Sequence, residues 1–372
     1  MIKRILSRQI SDDSKKGKVQ LVLGARQVGK TTMMQAFGND GVKTLLLNCD
    51  NYDDRAALTG KTSTQLNNLF NGYDRVFIDE AQRVPDIGLT LKIIGDLHLG
   101  RQVLVTGSSS LDLANSINEP ATGRIIEYRM FPLSLREISD ETSEREERRL
   151  LEQRMIYGLY PEIVTTPSDA KRLLTSISDN YLYKDLLSYK GIKKPDLVQK
   201  LVRALALQVG QEVSYNELAQ LLGVDKETVE SYIGLLEKCF VVFRLDSFSR
   251  NIRNEIKKGK KIYFWDNGIR NAVLSNFAPL ELRADTGALW ENLMISERLK
   301  RNAYACNYAR PYFWRTHDQH EIDLIEEIDG CLSTFEFKFK PGKKVKYPNS
   351  FKENYPQATF EVITPENFWD FV

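Results

Sequence analysis

A glycine-rich loop between a predicted strand and a predicted helix constrains the fold of this chain more than any other feature. Residues 24–31 read Gly-Ala-Arg-Gln-Val-Gly-Lys-Thr and match the pattern G-x-x-x-x-G-K-[ST]. The apolar run 19–23 predicts a buried strand before the loop, and residues 31–37 predict a helix that Gly38 ends. This order of elements points backbone N–H groups and a positive helix end toward a polyphosphate. The stretch therefore predicts a nucleotide site, and a structural glycine turn is the alternative.

The residues of this loop have separate expected roles. Gly24 and Gly29 allow backbone conformations that a Cβ atom would block. Lys30 is expected to meet the phosphates as a point charge, and the Thr31 hydroxyl is expected to ligate Mg²⁺. The predicted nucleotide-binding residues are Gly24, Ala25, Arg26, Gln27, Val28, Gly29, Lys30, Thr31 and Thr32.

Four more apolar runs follow, at 44–49, 75–79, 102–106 and 125–128. Because these runs are continuous rather than alternating, they predict a parallel sheet that is covered on both faces. Ligands of such sheets bind beyond the carboxyl ends of the strands. The residues at the strand ends are therefore the ones to examine for chemistry.

Polar residues stand at the carboxyl ends of two of these strands, and Arg124 directly precedes the fifth strand. Asp79 is the predicted metal-side carboxylate, with a helix cap as the alternative, and Glu80 is predicted to orient or deprotonate the attacking water. Ser108 is predicted to contact the γ-phosphate or the lytic water, with a helix start as the alternative. Arg124 is the candidate for the positive charge that phosphoryl transfer needs, in cis or from a neighbouring chain, and a surface arginine is the alternative.

The middle of the chain predicts helices and then a helix-turn-helix. Residues 141–200 are charged and Leu-rich. A capped helix at 214–222, a turn at Gly223, a second helix capped by Asp225 and a strand at 239–245 have the layout of a winged helix-turn-helix. The second helix carries several carboxylates, which repel phosphates. Sequence-specific DNA reading and a domain-packing role both stay open, and the charge favours packing.

The C-terminal part predicts a hairpin that carries carboxylates. Segments 320–326 and 334–339 alternate polar and apolar residues, and Asp-Gly at 329–330 is a preferred two-residue hairpin turn. This turn would place Asp323 opposite Glu336, with Lys338 on the same face as Glu336. Carboxylates at that separation destabilise a sheet unless a cation lies between them.

This hairpin resembles the active-site segment of the PD-(D/E)xK nucleases, in which an Asp, a hairpin and Glu-x-Lys follow one another. Glu291, in the predicted preceding helix, matches the further glutamate of that family. The resemblance implies that Glu291, Asp323 and Glu336 hold Mg²⁺ and that Lys338 positions the nucleophile. A surface ion trio is the alternative. Two basic runs, at 250–261 and 338–346, are either phosphate-tracking segments or soluble loops.

Motifs across most of the chain resemble the prokaryotic AAA-type ATPases, and within them the group whose C-terminal half is a domain of unknown function. In order, these motifs are GARQVGKTT, FIDEAQ, VTGSSS, GRIIEYRMFPLS, YGLYPE and YLYKD. The resemblance implies an AAA sheet arrangement, ATP with Mg²⁺ as cofactors, and the roles given above for Lys30, Thr31, Asp79 and Glu80. Together with the changes in composition, it predicts an ATPase core at 1–140, a helical lid or linker at 141–200, a winged helix-turn-helix at 201–248 and a restriction-endonuclease-like α/β domain at 249–372.

Length and composition agree with a multidomain globular protein. A chain of 372 residues exceeds one ordinary core, and a net charge of +2 argues neither for nor against nucleic acid. No apolar run reaches the roughly 18 residues of a membrane-spanning helix. Scattered cysteines without a CxxC pair predict a reducing cytoplasm and no zinc site.

Two functional hypotheses follow from the sequence. The first is an ATPase whose Mg²⁺-dependent ATP cycle gates or drives a nuclease-like domain that acts on DNA. The second is a nucleotide switch, in which ATP against ADP sets the exposure of a surface for a protein partner and the hairpin carboxylates are not catalytic. The oligomeric state stays open in both.

Overall fold

Two compact units make up the part of the chain that the structure describes. The computed structural model describes residues 2–14, 17–38, 41–97, 100–108, 123–179, 195–249, 259–316, 320–340, 342 and 345–372. The first unit is Met1–Pro132 with Lys238–Phe240, and the second is Leu133–Glu237 with Val241–Val372. None of the described helices combines the length and the apolar character that crossing a bilayer demands.

The first unit alternates strands with helices. Its strands are β1 (Val19–Leu23), β2 (Thr44–Asn48), β3 (Arg75–Asp79), β4 (Gln102–Gly107) and β5 (Ile125–Arg129). Its helices are α1 (Leu6–Asp13), α2 (Lys30–Phe37), α3 (Tyr52–Leu58), α4 (Ser63–Phe70) and α5 (Ile87–Asp96).

These strands form a parallel sheet in the order β2-β3-β4-β1-β5, as the continuous apolar runs predicted. Every residue of β1 and β3 is buried, because helices cover both faces of the central strands. The predicted bounds of β1 and β3 are the observed ones, and the other strands differ by one residue at their carboxyl ends. Because these strands are parallel, the carboxyl ends of β1, β3 and β4 lie along the same side of the sheet.

The second unit begins with short helices and ends with a large mixed sheet. Its helices are α6 (Leu135–Ser139), α7 (Glu144–Arg149), α8 (Leu151–Tyr157), α9 (Pro161–Thr165), α10 (Ala170–Ile177), α11 (Pro195–Leu207), α12 (Tyr215–Leu222), α13 (Lys226–Lys238), α14 (Asn267–Val273), α15 (Thr286–Ala305), α16 (Asn349–Asn354) and α17 (Phe368–Phe371). Its strands are β6 (Glu212–Val213), β7 (Val242–Ser247), β8 (Lys260–Phe264), β9 (Arg310–Arg315), β10 (Glu321–Ile328), β11 (Cys331–Phe337) and β12 (Thr359–Ile363).

The seven-stranded sheet runs in the order β12-β11-β10-β9-β7-β8-β6. Strand β8 pairs antiparallel with both β6 and β7, and β7 pairs parallel with β9. The strands beside α12 and α13 therefore continue directly into the C-terminal sheet. Helix α15 contacts β8 and β11, and its Trp290 is fully buried and donates its indole N–H to the Ile363 carbonyl at 3.3 Å.

The helix-turn-helix forms where the local signals predicted it. Ser214 accepts the Glu217 amide N–H, Gly223 ends α12 with a φ of 65°, and Asp225 accepts the Thr228 amide N–H at 2.6 Å. The prediction that the next strand begins at residue 239 was wrong. Helix α13 continues through Lys238 and Phe240 takes a φ of 58°, so β7 begins only at Val242.

A buried carboxylate joins the early helices of the second unit to α14. Asp266 is 4% exposed and caps α14 by accepting the Ile269 amide N–H at 3.0 Å. Its other oxygen accepts the Leu159 amide N–H at 2.6 Å. The neighbouring Gly158 has a φ of 72° and a ψ of −162°, and a Cβ there would lie 2.2 Å from the Asp266 carboxylate. The glycine of the YGLYPE motif is thus required by this close approach, whereas the YLYKD motif lies outside the described residues.

Candidate functional site

The glycine loop follows β1 and ends where α2 begins. Gly29 has a φ of 96° and Gln27 a φ of 61°, so the loop turns through the left-handed region before the helix. A Cβ on Gly24 would lie 2.2 Å from the Met130 carbonyl oxygen. Glycine is therefore needed at residue 24 because the chain leaving β5 passes directly beside it.

Two buried cations lie against the backbone of this loop. The Lys30 ammonium is 5% exposed and donates to the carbonyls of Gly24 and Ala25, both at 2.8 Å. The Arg4 guanidinium donates to the Val28 carbonyl at 2.5 Å and to the Phe131 carbonyl at 2.6 Å. Lys30 thus lies inside the curve of the loop, and Arg4 supports the loop from behind. The role of Arg4 was missed in the sequence, which carries no local signal for it.

Oxygen-bearing side chains from three elements meet at the carboxyl edge of the sheet. The Thr31 hydroxyl, at the start of α2, donates to Asp79 Oδ2 at 2.7 Å. The Thr106 hydroxyl, near the end of β4, donates to Asp79 Oδ1. Asp79 is 4% exposed, so its carboxylate is held between the phosphate loop and β4. The structure therefore brings together Thr31 and Asp79, the two residues predicted to ligate the metal.

Glu80 and Ser108 are linked by a residue that the sequence interpretation gave no role. Glu80 has a φ of 53°, and its amide N–H donates to Thr106 Oγ1 at 3.2 Å. The Gln82 side-chain amide donates to Glu80 Oε2 and also to Ser108 Oγ, the latter at 2.8 Å. Gln82 therefore orients both the predicted base and the predicted phosphate contact. Its position in FIDEAQ was a usable signal, because Gln82 lies only three residues after Asp79 at the acidic strand end.

The second unit brings together all four residues of the predicted nuclease-like site. The register of β10 and β11 extends to the pair Leu324 and Phe335, and Asp323 and Glu336 are the next residues along the two strands. Asp323 Oδ2 accepts the Phe337 amide N–H at 2.9 Å, and Lys338 donates to Glu336 Oε1 at 2.7 Å. Asp323 interacts electrostatically with both Glu291 and Glu336, and Lys338 with all three carboxylates.

A further lysine, Lys261, lies inside this cluster. Its side chain is 1% exposed, and its ammonium lies 3.2 Å from Glu291 Oε1 and 2.5 Å from Glu321 Oε1. The Tyr263 hydroxyl donates to the same Glu291 oxygen at 2.5 Å. Both interpretations of the basic run 250–261, a phosphate-tracking segment and a soluble loop, were wrong for Lys261, whose side chain is buried. It is buried because β8 lies between β6 and β7 in the sheet, whereas residues 250–258 of that run lie outside the described residues.

Burial and mutual repulsion disturb the protonation of these carboxylates. Burial and the charge of Asp323 raise the pKa of Glu291 to about 7, and they raise the pKa of Glu336 to about 7 as well. Burial also raises the pKa of Asp323. Burial by itself favours the neutral amine of Lys261, but Glu291, Asp323 and Glu321 raise its pKa above the ordinary value. Lys261 is therefore a positive charge within an acidic cluster.

Comparisons with protein families assign the first unit. Residues 16–139 match the family described as "AAA domain". The N-terminal part of this chain is therefore similar to AAA-type P-loop ATPase domains. Residues 148–280 match "Domain of unknown function (DUF8612)", and residues 286–367 match "Domain of unknown function (DUF4143)". The predicted combination of an AAA-type ATPase with a C-terminal domain of unknown function is thus confirmed.

Curated relatives share most of the chain. The chain is 28% identical to uncharacterised protein Rv2008c of Mycobacterium tuberculosis over 86% of its own length and 70% of that protein. It is 22% identical to an uncharacterised protein of Haemophilus influenzae, over 82% of its own length and 79% of that protein. Among solved structures it is similar to the Walker-type ATPase paby2304 of Pyrococcus abyssi, with a TM-score of 0.49 and 16% identity, over 74% of this chain and 96% of that one.

The residues of the ATPase domain fit the Mg²⁺ that its family implies. A threonine hydroxyl and a buried carboxylate in mutual contact are hard oxygen ligands, which Mg²⁺ prefers. Thr31 and Asp79 would hold the ion, which supplies positive charge to the phosphates when bound. Lys30, 2.8 Å from the loop carbonyls, is placed to add an ammonium to the same phosphates.

Arg124 does not join this site. It directly precedes β5, and Val19, the first residue of β1, pairs with Ile125. At about 3.3 Å per residue, β1 places about 16 Å between this end of the sheet and the phosphate loop. Arg124 instead pairs with Asp96 at the end of α5. The interpretation of Arg124 as a contact to the chain's own γ-phosphate was therefore wrong, and only a contribution to a neighbouring chain stays open.

We expect Arg124→Ala to leave ATP turnover within about twofold of the wild-type rate. The reason is the separation between Arg124 and the phosphate loop, together with its exposed pairing with Asp96. Steady-state phosphate release, measured across a range of protein concentrations, checks this. A loss of about 10³-fold, the scale of an arginine finger, would instead mean that a neighbouring chain receives Arg124.

The carboxylate cluster of the second unit fits a metal ion poorly. Within the described ranges, no group of three or more His, Cys, Asp and Glu side chains is arranged to hold one. The Lys261 ammonium already contacts Glu291 and the neighbouring Glu321, and Lys338 contacts Glu336. The Mg²⁺ implied by the nuclease resemblance is therefore at odds with these side chains.

Proposed function

We propose that this protein binds and hydrolyses Mg²⁺–ATP in its first unit and uses the nucleotide state to switch its second unit. The observation that carries the proposal is the contact between Thr31, at the start of α2, and the buried Asp79 at the end of β3. It joins the phosphate loop to the acidic strand end, and this is the pairing that phosphoryl-transfer sites of P-loop proteins require.

Each residue of the ATPase domain then has a defined task. Lys30 leaves the carbonyls of the loop and meets the phosphates, while the loop amides hold the phosphate oxygens. Glu80 accepts the proton of the attacking water, and Gln82 holds the Glu80 carboxylate in place. Ser108, bonded to the same Gln82, faces the terminal phosphate. Hydrolysis removes the terminal phosphate, and with it the negative charge that Lys30 and the loop amides attract.

A short segment of chain supports coupling between the two units. In the first unit, the Met130 amide N–H donates to the Leu23 carbonyl at 2.7 Å, and its carbonyl lies beside Gly24 of the phosphate loop. In the second unit, the Leu133 carbonyl oxygen accepts a hydrogen bond from the buried Lys300 ammonium at 3.0 Å. Residues 130–133 are therefore held at one end by the nucleotide loop and at the other by α15. A change in the loop on ATP binding would pull on the first helix of the second unit.

We propose that the second unit combines a winged helix with a nuclease-like fold that serves as a binding module. Strand β8 pairs with both β6 and β7, so the winged helix extends to Phe264, beyond the predicted end at residue 248. The presence of Lys261 inside the carboxylate cluster favours the switch over DNA cleavage, since cleavage of this type needs a metal ion there. The partner is then a protein surface, with DNA as the rival ligand.

We expect Lys30→Ala to weaken ATP binding by about 10- to 100-fold, because one charge-assisted hydrogen bond contributes about 1.5–3 kcal/mol. Titration calorimetry with Mg²⁺–ATP measures the affinity. Lys18→Ala is the matched control, since Lys18 is an exposed lysine that precedes β1 at the opposite edge of the sheet. Absence of any binding heat with the wild-type protein would refute the proposed function.

A further inference from the structure

The carboxylate cluster of the second unit contains its own cation. The Lys261 ammonium contacts Glu291 of α15 at 3.2 Å and Glu321 of β10 at 2.5 Å. Asp323 follows two residues after Glu321, and its charge acts on Lys261. The ammonium therefore lies among carboxylates that include Glu291 and Asp323, two of the three that the nuclease resemblance assigns to a metal ion.

The surroundings hold Lys261 in this position. Its strand is paired on both sides, with Lys261 opposite Glu212 of β6 and opposite Leu245 of β7. The ammonium also lies 5.6 Å from the centre of the Phe313 ring, an attractive cation–π distance. A lysine that is 1% exposed and lies on a strand paired on both sides has little freedom to leave. The cation is therefore a permanent part of the cluster rather than a mobile surface group.

The remaining groups of the cluster are engaged as well. Glu291 also accepts the Tyr263 hydroxyl, Asp323 accepts the Phe337 amide N–H, and Lys338 donates to Glu336. A divalent ion would have to displace the ammonium and break these contacts. Two like charges in one low-dielectric site carry a large electrostatic cost, so the buried Lys261 ammonium disfavours a metal ion between the same carboxylates.

We propose that Lys261 is a tethered cation that takes the place of the divalent metal ion in the nuclease-like fold. It makes the second unit a metal-independent module. It also ties β8 of the proposed winged helix to α15 and β10 of the C-terminal sheet. The inference does not depend on ATP hydrolysis, because every contact that carries it lies within the second unit.

The test is binding of Mn²⁺ alone to the full-length protein without nucleotide, measured by electron paramagnetic resonance of the free ion. Wild-type protein and Asp323→Ala are expected to bind equal amounts of Mn²⁺. Lys261→Ala, which removes the cation and keeps the carboxylates, is expected to gain one site, with at least tenfold tighter binding than the wild type. The double variant Lys261→Ala with Asp323→Ala is expected to lose that site again.

Lys260→Ala is the matched control, because Lys260 is the adjacent lysine on β8 and pairs with Asp246 at 3.5 Å outside the cluster. It should gain no site. Lys261→Met preserves most of the apolar stem and replaces Lys261→Ala if the smaller side chain prevents folding. A wild-type Mn²⁺ site that Asp323→Ala removes would overturn the proposal, and this comparison needs no Lys261 variant. A folded Lys261 variant without a new site would overturn it too.

Discussion

Replacing Glu80 by Gln is expected to lower the rate of ATP turnover by about 10²- to 10⁴-fold, the usual contribution of a general base. ATP affinity should stay within about threefold of the wild type, because the substitution leaves Lys30, Thr31 and Asp79 untouched. The glutamine keeps the shape of the side chain and still offers a carbonyl oxygen to the Gln82 amide. Only the ability to accept a proton is lost. Single-turnover phosphate release and calorimetric ATP binding together measure the two effects.

The control for this prediction is Glu127→Gln. Glu127 lies on β5 of the same unit and its exposed carboxylate pairs with Arg129 at 3.4 Å, so its neutralisation should leave both rate and affinity unchanged. Normal turnover in Glu80→Gln would show that another group takes the proton. A parallel loss of ATP affinity would show that Glu80 acts on binding rather than on the chemical step.

Replacing Gly158 by Ala is expected to destabilise the second unit by about 3–5 kcal/mol. The φ of 72° and ψ of −162° lie in a region that only glycine occupies readily, which costs about 1–3 kcal/mol. The new Cβ would also lie 2.2 Å from the Asp266 carboxylate. That carboxylate is buried and accepts two backbone N–H groups, so moving it forfeits hydrogen bonds worth about 1–3 kcal/mol when left unmade.

Differential scanning calorimetry of the full chain measures this loss as a fall in melting temperature of about 10 °C, at about 2–4 °C per kcal/mol for a domain of this size.

Gly234→Ala is the matched control. Gly234 lies within α13, and a Cβ there meets no atom within 4 Å. Alanine favours a helix interior, so this variant should gain about 0.5–1 kcal/mol. Equal melting temperatures for the two variants would contradict the role assigned to Gly158.

Local signals were sufficient for the elements that hold the nucleotide site. The strand β1, the loop 24–31 and the start of α2 follow one another in the sequence, and the parallel sheet collects the ends of β1, β3 and β4 at one edge. The hairpin β10–β11 was equally predictable. Its Asp-Gly turn fixes the register, and Asp323 and Glu336 are the residues that come next beyond its last observed pair.

Other features depended on which strands become neighbours. Arg124 was predicted to supply the positive charge that phosphoryl transfer needs, yet the parallel pairing of β1 with β5 puts it at the end of the sheet opposite the phosphate loop. Arg4 supports the phosphate loop across a large separation in sequence, with a hydrogen bond to Phe131 as well as to Val28. No periodicity or turn signal encodes such contacts.

The sequence by itself determined a phosphate-binding loop, a parallel sheet with Asp79 at a strand end, and a hairpin that pairs two carboxylates. Each of these rests on a turn or a strand whose geometry is set by residues close together in the chain. Only the tertiary structure decided what neutralises the carboxylates. Lys261 belongs to a basic run that the sequence assigns to a phosphate-tracking segment or a soluble loop, and it becomes an internal cation because β8 is inserted between β6 and β7 and faces α15 and β10. Burial is a property of the assembled sheet, and it turns an ordinary lysine into the group that sets the chemistry of the site.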